Sequence, residues 1–226
     1  MTRALAIATL MMGVQVFAPQ VAFSAEAEKA APAPAEKAAP KADPAKGQAI
    51  VNKVCVACHA ADGNSAVPAN PKLAGQIPEY LQKQLMDFKP GAGGKAARAN
   101  PVMAGFAATL SNDDMRDVAA YFAAQKPAPG SAKNKDTILI GQRLWRGGDA
   151  SKGIAACAGC HGATGAGLPV QYPRLAGQHA EYTEAQLKAF RAKERNNDPA
   201  GMMRTIALKM TDAEIRAVAD YIAGLR

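Results

Sequence analysis

Two five-residue stretches, Cys55-Val-Ala-Cys58-His59 and Cys157-Ala-Gly-Cys160-His161, decide how this chain of 226 residues is read. C-x-x-C-H is the attachment signature of c-type haem. Two thiols three positions apart can each add to one vinyl group of a single porphyrin. The histidine that follows then sits under the iron and can ligate it through an imidazole nitrogen. A structural disulfide, a redox cysteine pair or half of a zinc site would also use C-x-x-C. However, both pairs carry the trailing histidine, both fall at equivalent points of a repeat, and the chain has 4 cysteines in all. The expected cofactors are therefore two covalently bound haem c groups, held by Cys55 and Cys58 and by Cys157 and Cys160, with His59 and His161 as axial ligands.

The repeat organises everything around these motifs. A shift of 102 residues places Cys55, Cys58 and His59 on Cys157, Cys160 and His161, and Pro71-Lys-Leu-Ala-Gly-Gln76 on Pro173-Arg-Leu-Ala-Gly-Gln178. It also pairs Glu79, Tyr80, Gln84, Leu85 and Phe88 with Glu181, Tyr182, Gln186, Leu187 and Phe190. After a two-residue deletion the shift becomes 100, pairing Val118-Ala119 and Tyr121 with Val218-Ala219 and Tyr221. Two halves that match this closely should share one fold. The reading divides the chain into residues 46–125 and 137–226, joined by a Pro/Gly/Lys linker at 126–136. The second half carries an insertion: Cys157 lies sixteen residues past Gly141, whereas Cys55 lies eight past Gly47. Trp145, the single tryptophan, precedes the extra Gly147-Gly148-Asp149 turn and is expected in the core or between the halves.

Each half reads as helical, with no alternating stretch that argues for a sheet. Residues 45–57 form a short helix that delivers the first motif. Glu79–Phe88 is apolar at helical spacing and is stopped by Lys89-Pro90-Gly91. Ser111 is an N-cap followed by Asp113 and Asp114, and Thr211 with Glu214 has the form of a capping box.

The sixth iron ligand follows from the methionines. Among the 9 in the chain, Met86, Met115, Met202 and Met210 face non-methionine residues across the repeat, whereas Met103 and Met203 face each other. Each is expected in a poorly helical loop before a capped helix, with Met202 as a competitor to Met203. His179 aligns with Ile77, cannot serve both halves, and reads as an exposed loop histidine. The carbonyls of Pro71 and Pro173 are candidate acceptors for the second ring nitrogen of His59 and His161, and Leu73 and Leu175 would pack on the haem faces. A His/Met pair raises the potential and fills both axial positions. Such an iron suits outer-sphere electron transfer and leaves no place for a small-molecule substrate.

Composition agrees. Aromatics are 5% of the chain, thin for two small cores unless a bound group adds apolar bulk. The formal charge is +8; residues 46–125 carry 8 basic and 6 acidic groups, residues 133–226 carry 14 and 9. That excess fits steering toward an acidic partner or an anionic membrane face. No basic run interleaved with aromatics suggests nucleic acid. Residues 1–25 read as a secretory signal peptide, with Arg3 before the apolar run Ala4–Ala18 and small residues at Ser24, Ala25 and Ala27. Residues 26–45, made of Ala, Pro, Lys and Glu, read as a flexible tether.

With these motifs in place, the sequence resembles the dihaem cytochromes c4 over about residues 45–226. The resemblance rests on both C-x-x-C-H motifs, the duplicated P-x-L-A-G-Q, the stretch Asn100-Pro-Val-Met-Ala-Gly-Phe106 and its weaker copy Gly201-Met-Met-Arg-Thr-Ile206. It implies an all-α protein of two tandem class I cytochrome c domains, with haems near each other across the domain interface. It further implies periplasmic electron transfer from a quinol-oxidising cytochrome complex to a terminal oxidase, without enzymatic activity. Segment 26–45 differs from the family's short N-terminus and leaves room for peripheral membrane association. Two other readings compete: the cytochrome subunit of a flavocytochrome-type dehydrogenase, and a dihaem peroxidase with one open iron.

Overall fold

The computed structural model describes residues 40–226. The expected signal peptide at 1–25, and most of the 26–45 tether, lie outside the described residues. Regular structure among the described residues is helical, and strand-like pairing is limited to three isolated bridges. No described helix is long and apolar enough to cross a membrane.

In the first lobe, α1 (Pro44–Ile50) starts at Asp43, whose carboxylate accepts from the amides of Ala45 and Lys46. The helix then widens into a π turn (Val51–Cys55) and tightens again into α2 (Val56–His59). The helix expected over 45–57 is therefore present but changes its winding where it reaches the first thiol. Next come α3 (Pro78–Phe88), α4 (Pro101–Ala108) and α5 (Asn112–Ala123). The second lobe repeats the plan with α6 (Ile138–Gly147), α7 (Cys157–His161), α8 (Ala180–Arg191), α9 (Met202–Leu208) and α10 (Asp212–Ala223).

The first helix of each lobe crosses the last at a glycine. A Cβ on Gly47 would lie 2.1 Å from the Asp117 carbonyl oxygen, and one on Gly141 would lie 2.3 Å from that of Ala217. No side chain fits at either crossing, so the backbones meet directly. Around them close the apolar cores: Val51, Leu81, Val118, Ala119 and Phe122 in the first lobe, and Leu144, Trp145, Ile154, Leu187, Ile215, Val218 and Ile222 in the second. Both last helices carry complete capping boxes, Ser111 with Asp114 and Thr211 with Glu214. Each box satisfies amides that a helix start leaves without partners.

Trp145 is fully buried in the second lobe's own core, and its indole donates to the Ala163 carbonyl at 3.0 Å. The inserted piece after it closes as a tight turn, with Asp149 and Ile154 exchanging both backbone hydrogen bonds at 2.8 Å. The connecting segment is pinned at both ends. Asn64 bonds the backbone of Lys126 and Ala128, and Asp220 accepts from the amides of Lys133 and Asn134.

Candidate haem sites and the joint between them

Each C-x-x-C-H motif ends a helical turn that brings its histidine inside. His59 and His161 are 8% and 6% exposed. The Nδ1 of His59 donates to the Pro71 carbonyl at 3.0 Å, and that of His161 to the Pro173 carbonyl at 3.0 Å. A carbonyl only accepts, so the proton lies on Nδ1 and the Nε2 lone pair is left for a metal. Burial lowers both imidazole pKa values and outweighs the opposing effect of the carbonyls, which keeps both rings neutral. The acceptor loops are braced from below. Gly63, at φ 74°, presents its carbonyl to the amides of Leu73 and Ala74, and Gly165, at φ 73°, does the same for Leu175 and Ala176.

The four cysteines form no disulfide. Burial pushes the thiols of Cys55 and Cys157 up to about 11. A thioether formed there would carry no charge to desolvate. Cys55 and Leu73 border the first lobe's core, and Cys157, Leu175 and Met203 border the second's. The donor set therefore fits covalently attached haem: in each lobe two thiols, a neutral imidazole of fixed tautomer and an apolar lining.

Met103 and Met203 lie on short helices rather than in the loops expected. Pro101 occupies the first turn of α4, where a missing amide hydrogen costs nothing, and Asn100 caps it by accepting from the Met103 amide at 2.9 Å. Met103 packs on Phe88, Ala107, Leu110 and Met115. Met203 follows the left-handed Gly201 at the start of α9. Its neighbour Met202 is engaged elsewhere, with the Tyr172 hydroxyl 3.9 Å from its sulfur.

The joint between the lobes contains residues that the sequence reading missed. Arg98 and Arg195 are 7% and 8% exposed, and their backbones pair in an antiparallel bridge. Arg98 donates to Gln84 at 2.8 Å, Gln186 at 2.7 Å and the Tyr182 hydroxyl at 2.9 Å. Arg195 mirrors it, donating to Gln186 at 2.8 Å, Gln84 at 3.1 Å and the Tyr80 hydroxyl at 3.0 Å. Each guanidinium also stacks over a phenylalanine of its own lobe, Phe88 at 4.5 Å and Phe190 at 4.4 Å. Burial works to raise the Tyr80 pKa, but the nearby charges of Arg195 and Arg98 prevail and lower it.

The duplicated P-x-L-A-G-Q motif serves the same joint. The Gln76 side chain exchanges two hydrogen bonds with the Arg174 backbone at 2.8 and 2.9 Å, and the Gln178 side chain does so with Lys72 at 2.9 Å each. His179 is not an exposed loop residue. It caps α8, is half-buried, and its Nε2 donates to the Ser65 carbonyl at 2.8 Å. The Ser65 hydroxyl in turn donates to the Cys58 carbonyl at 3.1 Å, so the contact reaches the first haem motif.

One regularity could have revealed the arginine pair. Between Phe88/Phe190 and Met103/Met203 the offset moves from 102 to 97 at Arg98/Arg195 and then to 100. The two-residue deletion is thus the net of a five-residue excursion in one half and a three-residue excursion in the other, which together hide the match.

The cytochrome c family model matches residues 44–126 and 146–226. Cytochrome c4 of Thiocapsa roseopersicina is 48% identical over 193 residues, spanning 84% of this chain and 97% of that protein. The thiosulfate dehydrogenase electron acceptor of Thiomonas intermedia is 42% identical over 173 residues, spanning 75% of this chain and 77% of that protein. The crystal structure of reduced recombinant cytochrome c4 from Pseudomonas stutzeri superposes with a TM-score of 0.78 at 43% identity, covering 82% of this chain and 100% of that one. Two helical lobes, each with its thiol pair and its oriented imidazole, place the chain in the cytochrome c4 family, as a dihaem electron-transfer cytochrome with two covalently bound haem c groups.

Proposed function

We propose that both irons carry a histidine and a methionine, His59 with Met103 and His161 with Met203, and that the protein is a periplasmic carrier rather than an enzyme. In this reading residues 1–25 direct export, 46–125 and 137–226 are the two haem domains, and 126–136 joins them. Haem iron supplies the one-electron change when bound. The protein's part is to hold that change to electrons alone. Cys55, Cys58, Cys157 and Cys160 would hold the porphyrins, the Pro71 and Pro173 carbonyls orient the imidazoles, and Met103 and Met203 would supply the second iron ligand in each lobe. An iron so ligated would gain and lose no ligand, which would keep reorganisation small and leave no opening for peroxide or oxygen.

The observation that carries this reading is the duplicated His–Pro hydrogen bond at 3.0 Å, with a half-buried methionine on the core at the same repeat position in each lobe. The donor is then a quinol-oxidising cytochrome complex and the acceptor a terminal oxidase. A second reading takes a periplasmic dehydrogenase as donor. The relative named thiosulfate dehydrogenase electron acceptor favours it, and the fold would serve either. Carbon monoxide added to the reduced holoprotein at neutral pH tests the closed irons. No binding is expected, and rapid stoichiometric binding would defeat the carrier reading. Replacing Met103 or Met203 by His should lower one of the two potentials by on the order of 0.1 V or more, a fraction of the roughly 0.8 V that axial ligands span.

A further inference from the structure

The surface beside Met203 differs in kind from that beside Met103. An open cleft of about 340 Å³ lies between the end of α8, the turn before α9 and α9 itself, lined by Arg191, Lys193, Gly201, Arg204, Thr205 and Leu208. Three of its lining residues are cations and none is acidic. Two of the cations are fixed in place. Arg191 donates to the Met210 carbonyl at 3.0 Å and pairs with Asp212. Arg204 is held through its amide and its Nε by Asp198, at 3.0 and 2.7 Å. The Asp198 side chain is 4% exposed, so its charge faces inward and the rest of the guanidinium is left to the cleft. Lys193, held at φ 61°, is exposed and takes part in none of the ion pairs found among the described residues.

The first lobe keeps only one counterpart, Lys89, which aligns with Arg191 by the offset of 102 and likewise donates to a carbonyl, that of Leu110. By the offset of 100, Arg204, Thr205 and Leu208 replace Ala104, Gly105 and Ala108, and α4 carries no charged residue at all. Its rim exposes Val102 and Phe106 instead, at 62% and 42%.

We propose that the Arg191–Lys193–Arg204 cleft is the docking site for an acidic surface of a redox protein, whose carboxylates seat against these cations while Leu208, 62% exposed, meets an apolar contact at its edge. Charge complementarity selects this occupant. The cleft is open, every charged residue lining it is a cation, and it belongs to the half with the larger basic excess. Gly201, Arg204 and Thr205 lie within two residues of Met203, so a docked acceptor would meet the short helix that carries this methionine. The haem, when bound, would supply the one electron that an oxidised metal of the acceptor takes up. Fixed cations at a contact of this type accelerate encounter, and salt weakens them. The proposal rests on the electron-carrier reading above.

The test uses reduced, isotope-labelled holoprotein titrated with a hexa-aspartate peptide and, separately, with inorganic phosphate. Amide shifts should gather at residues 191–193 and 200–208. Lys193→Glu should weaken the peptide about fivefold at low salt, with the gap closing as ionic strength rises from about 20 to 200 mM. Arg204→Gln should act in the same direction, and Val102→Ser should change nothing. In stopped flow, oxidation of the holoprotein by an acidic blue-copper protein should slow by a similar factor in Lys193→Glu, with both haem potentials unmoved. Shifts scattered over all surface lysines, indifference to Lys193→Glu, or phosphate binding as tightly as the peptide would each overturn the docking site. Carbon monoxide binding tests the carrier reading itself, so the two failures are distinguishable.

Discussion

Val51 and Trp145 occupy the same place in the two lobes, each four residues past the glycine where the first helix crosses the last, and both are fully buried. The first lobe fills that place with a small side chain and reaches its cysteine eight residues past the glycine, by widening the helix into a π turn. The second lobe fills it with an indole and takes sixteen residues, folding the surplus into the Asp149–Ile154 turn. What is common to both is the end point: a thiol at the core, and a histidine whose Nδ1 is 3.0 Å from a proline carbonyl. The site tolerates two ways of filling the interior because its geometry is set by the ligand loop and its Gly63 or Gly165 brace, rather than by the path of the entering helix.

The largest expected effect tests that contrast. Trp145→Ala should destabilise the second lobe by about 3–5 kcal/mol, and Val51→Ala the first by about 2 kcal/mol. Denaturant unfolding followed at the haem bands measures both. Equal losses would mean that the two positions are not equivalent supports.

The joint should respond next. Arg98→Gln or Arg195→Gln alone removes donors from Gln84 and Gln186, which both arginines share, at a cost of about 2–3 kcal/mol. The double variant should cost less than the sum, because the two like charges repel and lean on the same acceptors. A split of unfolding into two transitions would mark the loss of coupling between lobes, and strict additivity would show that the pair acts as two separate contacts.

The smallest effect separates the capping boxes. Burial raises the pKa of Glu214, but hydrogen bonds from Lys152 and Thr211 prevail and hold it below the usual carboxylate range. The hydrogen bonds of Ser111 do the same for Asp114. Their contribution is therefore complete above the ordinary carboxylate pKa and is lost as pH falls through the lowered folded values. Glu214 also grips Lys152 at 2.7 Å. Glu214→Gln should cost about 1 kcal/mol at neutral pH, Asp114→Asn a few tenths, and both differences should shrink in acid. Melting curves across the acid range report it.

Much of this was legible in the sequence, because the informative contacts are either local or duplicated. The thiol pairs, the proline acceptors and the capping residues repeat at fixed offsets, and each has a physical reason for its spacing. What was not legible lay across the joint. Arg98 and Arg195 are hidden by two excursions of unequal length that nearly cancel. His179 has no counterpart in the first half, and its acceptor lies 114 residues earlier in the chain. The short helices under Met103 and Met203 were not read from the sequence, because Pro101 and Gly201 stand at their starts and both residue types are poor helix formers in a helix interior. One starts a helix at its first turn and the other ends the bend just before one.

The cross-lobe hydrogen bonds have a consequence for assembly. Gln76 bonds the backbone at 174 while Gln178 bonds it at 72, and Arg98 takes Tyr182 while Arg195 takes Tyr80. Each of these four contacts recurs with its roles exchanged, which is the mark of an isologous contact, the kind that two identical subunits make about a two-fold axis. A single lobe thus carries a self-complementary face. Tethering two lobes through residues 126–136 turns a concentration-dependent dimer contact into an intramolecular one. Once tethered, the copies no longer need to remain identical, and one can acquire cations where the other stays apolar.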